Sequence, residues 1–192
     1  MIYLLLADGF EEIEALTPLD VLRRAGLSVR TLSIKNGPVV GAHGVAVTAD
    51  LPAEEANDPI ELLILPGGMP GTKNLDACPQ TDRLIQRTLS DGGRIAAICA
   101  APMVYGHLGI LEGVKATCYP GVQSELKGAE YTADIVTKDG QFITGRGPAA
   151  AMEFGYAIAE HFLGEDAVAP LREGMIYNQL FKQMLVDVYK GF

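Results

Sequence analysis

Cys99 stands where the apolar run Arg94-Ile95-Ala96-Ala97-Ile98 gives way to Ala100-Ala101-Pro102, so a buried strand must turn into a helix at the thiol. Proline suits the first turn of a helix, because its missing N–H is one that the helix start leaves unpaired, and small residues at 100 and 101 let the chain turn without a clash. The pattern is that of a nucleophile elbow, a strained strand-to-helix turn that lifts a side chain above an α/β sheet. A sulfur at a helix start also feels the positive end of the helix dipole, which favours thiolate over thiol. On that ground the Cys99 pKa is expected below that of an ordinary thiol. Free cysteine is equally a residue that often just packs, so this segment alone leaves both roles open.

Ligands of open parallel sheets bind beyond the carboxyl ends of the strands, and two more segments fall at such ends. Pro66-Gly67-Gly68-Met69-Pro70-Gly71 follows the run Leu62 to Leu65. Its paired glycines permit close backbone approach, and their amides could face a developing oxyanion, although a plain tight turn explains them as well. Asp8-Gly9-Phe10-Glu11-Glu12-Ile13-Glu14 follows the first run. Glu11, Glu12 and Glu14 suit a first helical turn, where the dipole favours acids on a solvated face. Glu14 differs, because Ile13, Leu16 and Leu22 mark an apolar stripe and Glu14 lies one position off it, with Thr17 and Val21. Pro18 also leaves the Glu14 carbonyl without its helical donor.

The elements that would position these groups alternate along the chain. Ile2 to Leu6, Val29 to Ile34, Leu62 to Leu65 and Arg94 to Ile98 read as strands, three of them nearly continuous in apolar residues, as buried parallel strands are. Helices are predicted over Glu11 to Ala25, Thr81 to Asp91 and Ala149 to Leu163, closed by Gly26, Gly92-Gly93 and Gly164. A βα repeat of this kind predicts an α/β fold around a mostly parallel sheet. Val45 to Thr48 adds a strand, and Ile135-Val136 with Phe142-Ile143 a hairpin across Lys138-Asp139-Gly140. Beyond Tyr177, Phe181, Met184, Leu185, Val188, Tyr189 and Phe192 form a helical apolar stripe. It predicts a C-terminal helical extension over residues 178–192, packed on its own domain or on a second subunit.

Composition narrows the classes. A chain of 192 residues with 48% hydrophobic content fills one core, so one domain over 1–192 is expected. A net charge of -9, with 15 Lys and Arg that never form a run, argues against a nucleic-acid partner. Met1 to Ala7 has no basic flank and meets Asp8 at once, which suits a first strand and not a signal peptide. The longest uncharged apolar stretch, Ile95 to Gly106, is shorter than the ~20 residues of a membrane span. A soluble, cytoplasmic protein is expected. Cys78, Cys99 and Cys118 are an odd set without ligand spacing, and His43, His107 and His161 are scattered, so neither a disulfide framework nor a metal site is indicated.

Taken together, Gly9-Phe10-Glu11-Glu12-Ile13-Glu14, Leu65-Pro66-Gly67-Gly68, Ala96-Ala97-Ile98-Cys99-Ala100-Ala101-Pro102 and Gly145-Arg146-Gly147-Pro148 resemble the signatures of the ThiJ/PfpI superfamily, in its DJ-one branch, over roughly residues 1 to 175. The resemblance implies a flavodoxin-like three-layer sandwich, with Cys99 as the reactive cysteine and Glu14 as a protonated acid hydrogen-bonded to its sulfur. It further implies an oxyanion site formed by the amides of Gly68 and Ala100, beside Gly67. A homodimer is implied, with Asp20 and Arg24 near the interface and the site. The short segment in which many members carry a histidine close to the cysteine here reads Thr117-Cys118-Tyr119-Pro120, so Tyr119 takes that place.

The function this implies is a cofactor-independent glyoxalase or deglycase acting on methylglyoxal, related reactive aldehydes or their glycated adducts. Tyr119 is then a candidate hydrogen-bonding partner for a carbonyl substrate. The alternative is a non-catalytic oxidative-stress sensor or chaperone in which Cys99 becomes a sulfinate. A small-amide hydrolase or peptidase is a weaker reading, since a thiol protease needs a base beside the sulfur and neither His43 nor His107 falls at such a position.

Overall fold

Strands and helices alternate from Ile2 onward in the computed structural model, which describes residues 1–180, 182 and 183. In chain order they are β1 (Ile2–Leu6), α1 (Glu12–Arg24), β2 (Val29–Ser33), β3 (Val39–Val40), β4 (Ala46–Val47), β5 (Leu51–Pro52), β6 (Leu62–Leu65), α2 (Gly71–Asp76), α3 (Pro79–Ser90), β7 (Arg94–Ile98), α4 (Pro102–His107), β8 (Lys115–Ala116), β9 (Glu130–Tyr131), β10 (Val136–Asp139), β11 (Phe142–Gly145), α5 (Ala151–Leu163) and α6 (Glu165–Gly174). Seven strands form one sheet in the order β10-β11-β7-β6-β1-β2-β5. Every pair in it is parallel except β10 with β11.

The unbroken apolar runs of β1, β6 and β7 follow from helices covering both faces of the sheet. Ile2, Leu4 and Leu6 point into one cluster with Ala15 and Leu22 of α1 and Phe154 and Ile158 of α5. Tyr3, Leu5 and Ala7 point into the other, with Leu75 of α2, Ile85 of α3 and Val104 of α4. Leu4 is wholly buried, and truncating it to alanine would cost about 2–5 kcal/mol. The result is a three-layer α/β sandwich. From β1 the chain moves out to β2 and β5, then returns to β6 on the other side of β1. That reversal opens a crevice at the carboxyl ends of β1 and β6, where the candidate segments lie.

Several elements depart from the sequence pattern. The strand expected over Val45 to Thr48 is only Ala46–Val47, paired antiparallel with an unforeseen β3 outside the main sheet. The third helix starts at Pro79 with Cys78 as its cap, and β10 and β11 are longer than the residues that suggested them. The helices α2 and α6 were not anticipated, being six and ten residues long, with Pro170 inside α6. Residues 177–180 are helical. The apolar stripe Phe181 to Phe192 lies outside the described residues.

Candidate active site

Cys99 follows β7 directly and adopts φ +65, a left-handed conformation that costs an L residue about 1–2 kcal/mol. Both its backbone groups are tied: its N–H donates to the Gly145 carbonyl at 2.9 Å, and its carbonyl accepts from the Tyr119 N–H at 2.8 Å. The Ala101 N–H donates back to the Ile98 carbonyl at 3.1 Å, closing the turn, and α4 begins at Pro102. The N–H groups of Gly68 and Ala100 both reach the Cys99 sulfur. Strand, turn and neighbouring loop thus place two backbone donors on one side chain.

Glu14 comes to the same point from α1. Glu11 caps this helix, its carboxylate accepting from the Glu14 N–H at 2.7 Å, which fixes where the first turn begins. The Glu14 side chain is completely buried. Its Oε2 accepts from the Gly67 N–H at 3.0 Å, while Oε1 has no hydrogen-bond partner. Burial pushes the carboxyl up to about 7, the Glu11 charge adds to this, and Cys99 and the Gly67 amide oppose it. A Cβ on Gly67 would fall 2.5 Å from Glu14 Oε2 and 2.7 Å from the Cys99 Cβ. Only glycine lets the acid lie against the thiol.

Burial also pushes the Cys99 thiol up, and the Glu14 carboxylate pushes it further, against the pull of the Ala100 and Gly68 amides. This corrects the expectation of a thiol below its ordinary pKa. The helix start and the amides are present as the sequence suggested, but the sulfur sits in a dry pocket beside a carboxyl that competes for the same charge. Such a pocket accommodates one anion. The sulfur becomes that anion when its proton has passed to Glu14.

Glu11 and Glu12, expected on a solvated face, are buried. Glu12 accepts from the His43 N–H at 2.7 Å, and its other oxygen lies 2.8 Å from His43 Nδ1. This contact ties the β3–β4 hairpin to the start of α1. Among the described residues, Glu11, Glu12 and His43 form a group able to offer three metal-ligating atoms within 4.8 Å of one another; the hydrogen bonds of His43 to Glu12 already account for the grouping. No spacing signalled it, because the partners are 31 residues apart in sequence. Asp20 and Arg24, both exposed, pair with each other at 2.6 Å. They lie six and ten residues along α1 from Glu14, about 9 and 15 Å up the helix axis.

The profile of the DJ-1/PfpI family matches residues 1–161. The chain belongs to this family. It is 37% identical over 180 residues to protein dj-1beta of Drosophila melanogaster, covering 91% of this chain and 96% of that protein. The glutathione-independent glyoxalase DJR-1.2 of Caenorhabditis elegans is 34% identical over 166 residues, 85% and 88% of the two chains. A deglycase of Pyrococcus abyssi is 31% identical over 150 residues, 77% and 90% of the two chains. The crystal structure of Drosophila DJ-1beta matches with a TM-score of 0.87 at 35% identity, over 91% of this chain and 96% of that one.

Tyr119 borders the elbow from the next segment. It is 47% exposed, and its ring lies 3.2 Å from where a Cβ on Gly147 would be. Together with Pro120, Ile135, Arg146 and Pro148 they line a pocket of about 240 Å3. The Arg146 guanidinium is held to one side, donating to the Ala133 carbonyl at 2.6 Å and the Tyr131 hydroxyl at 3.1 Å. None of the three histidines pairs with the thiol directly: His43 pairs with Glu12, His107 lies between Asp76 and Glu125, and His161 packs edge-on to Phe162. All three cysteines are free. Cys118 packs in the cluster on the α2–α4 side of the sheet and Cys99 in the one on the α1–α5 side.

Proposed function

We propose that this protein is a cysteine-dependent, cofactor-independent glyoxalase or deglycase-type enzyme acting on methylglyoxal and related α-oxoaldehydes. The convergence of the Gly68 and Ala100 amides on a sulfur that also adjoins a buried carboxyl of pKa about 7 carries this reading. With the proton on Glu14 and the charge on Cys99, the thiolate adds to the aldehyde carbon and the amides hold the new alkoxide. Glu14 protonates that oxygen and becomes a carboxylate. It then removes the hydrogen from the same carbon and returns it to the adjacent one through an enediol, while the hydroxyl proton passes to the former ketone oxygen, leaving a thioester. Water hydrolyses the thioester to the 2-hydroxy acid and restores the thiol. The sum is aldehyde plus water to hydroxy acid. A group of pKa about 7 suits both giving and taking the proton at neutral pH.

Relatives named as a glyoxalase and a deglycase support the reading. Metal-free protein incubated with methylglyoxal should form lactate. Cys99→Ser should lose it and Glu14→Gln should lose about a hundredfold or more, the usual weight of a positioned acid-base group. Absence of lactate with the wild type, or equal rates in Cys99→Ser, refutes the assignment.

The geometry also supports a redox reading of the same thiol, because the Gly68 and Ala100 amides would hold a sulfinate oxygen as well as an alkoxide. The engagement of all three histidines elsewhere speaks against a peptidase. We further propose a cytoplasmic homodimer. Among the described residues no helix is long and apolar enough to cross a membrane, three free thiols suit a reducing compartment, and Ile13 of α1 and Val40 and Val45 of the β3–β4 hairpin are exposed apolar side chains. Light scattering giving a 20.4 kDa particle at micromolar concentration would exclude the dimer.

A further inference from the structure

Three loops surround Cys99, each runs into a short element, and the far ends of those elements meet at one histidine. The loop of Gly67 and Gly68 leads into α2, whose last residue is Asp76. Cys99 leads into α4, whose last residue is His107. Tyr119 leads into a single helical turn over Gln123–Glu125. His107 Nδ1 lies 2.9 and 3.0 Å from the two carboxylate oxygens of Asp76, and its Nε2 lies 3.1 Å from Glu125 Oε2. The backbones are in direct approach as well, since a Cβ on Gly106 would collide with the Glu125 carbonyl oxygen. With six residues, α4 is about 9 Å long, so this junction lies one short helix away from the sulfur.

We propose that His107 is a positioning residue for Cys99: its imidazolium ties the ends of α2, α4 and the 123–125 turn together and so holds the Gly68 and Ala100 amides on the sulfur. The inference rests on Cys99 being the reactive group, and not on which aldehyde it meets. Only the doubly protonated ring can donate to both carboxylates; the neutral ring turns a lone pair toward one of them. Asp76 from α2 and Glu125 from the turn are the charged groups that face it. Glu125 first, and then Asp76, hold its pKa above 6.5 against the effect of burial. The tie is therefore made in most molecules at pH 6 and loosens as the pH rises through that raised value.

The test measures the rate at which iodoacetamide labels Cys99, read by peptide mapping of the full chain, in the wild type, His107→Gln and Glu125→Gln. Glu125 is the most exposed of the three partners, so its variant keeps the test open if His107→Gln does not fold. At pH 6 each variant should label more slowly than the wild type by about threefold, within the range by which remote positioning contacts modulate a site. At a pH above the His107 value, located by NMR titration of the wild type, the ring is itself neutral, and the ratio to His107→Gln should approach one. Effects of Glu14 and His43 titration are common to all three proteins and cancel in the ratio. A ratio of one at pH 6, or the same ratio at both pH values, overturns the proposal, the second result marking a purely structural contact. Labelling does not pass through aldehyde chemistry, so a protein that forms no lactate overturns the proposed reaction alone, and a flat ratio overturns the tie alone.

Discussion

Replacing Glu14 with glutamine should change how stability depends on pH, by an amount the structure sets. Burial holds the Glu14 carboxyl at about 7 in place of its ordinary 4.5, and at 1.36 kcal/mol per pH unit this amounts to about 3 kcal/mol. The sign follows from proton binding. Below the ordinary value both the native and the unfolded chain carry the proton, and nothing is lost. Between 4.5 and about 7 the unfolded chain releases it while the native protein retains it, so stability falls as the pH rises. Above that window both are ionised and the whole loss is present. Glutamine keeps the shape and has no proton to lose. Relative to Glu14→Gln, the wild type should therefore lose about 3 kcal/mol between pH 4.5 and pH 8, or about 6–12 °C in melting temperature for a chain of this size. Urea unfolding of both proteins at matched concentration, at pH 4.5, 6 and 8, measures the difference. The same slope should survive in a Cys99→Ser background, because burial and not the thiol is the leading cause. A stability difference that stays constant across this range would show that Glu14 is ionised throughout, and the proton-shuttle role would fall with it.

The remaining expectations use other parts of the site. Gly67→Ala should destabilise by about 1–3 kcal/mol, the usual cost of overpacking, and slow Cys99 alkylation, because the new methyl falls on Glu14 Oε2 and the Cys99 Cβ; unchanged melting and labelling would refute the close approach. NMR titration should place the His43 pKa above 6.5, raised by Glu12, and Glu12→Gln should return it to the ordinary range; equal values in both proteins would show that the pair does not form in solution. Mild peroxide should carry Cys99 to a sulfinate and not to a disulfide with Cys118, since the two thiols pack on opposite faces of the sheet. Glu14→Leu should yield less of that sulfinate, because a sulfinate needs a protonated neighbour to donate to it; intact mass spectrometry reads both results, and equal sulfinate plateaus would remove Glu14 from the oxidation chemistry.

The central strands and the elbow were legible in the sequence because their signals are local. Ile95 to Ile98 followed by Cys99 and Pro102 states strand, turn and helix within nine residues, and glycines 26, 92 and 164 all take the positive φ that a helix end calls for. Short elements such as β3 and α2 carried no such signal, since two to six residues are too few for periodicity to show. Glu14 was visible only as an acid out of place beside an apolar stripe, and its partner Gly67 lies 53 residues away. The burial of Glu11 and Glu12 was illegible for the same reason: what removes Glu12 from water is a hairpin whose His43 arrives from outside its helix. The thiol pKa went wrong for a different reason. Helix dipole and amides can be read from an elbow motif, but the desolvation that outweighs them depends on what closes over the sulfur.

That desolvation also explains how an uncharged resting thiol and a reactive thiolate can share one geometry. In water, Cys99 and Glu14 would titrate independently, and the carboxyl would ionise long before the thiol. In the pocket their charges exclude one another, so moving the proton from sulfur to the Glu14 carboxylate exchanges one anion for another without adding charge to a dry site. The amides of Gly68 and Ala100 favour the sulfur side of that exchange, and the Gly67 N–H favours the carboxylate side. Burial and the Glu14 charge raise the thiol by more than burial raises the acid, so the site rests as a thiol and the thiolate forms only by passing its proton on. The left-handed turn at Cys99 places the sulfur among these donors, and the hydrogen bonds from Cys99 to Gly145 and from Tyr119 to Cys99 offset its cost. Relaxing the turn would move the sulfur away from both the amides and the acid, so the backbone strain and the shared proton belong to a single device.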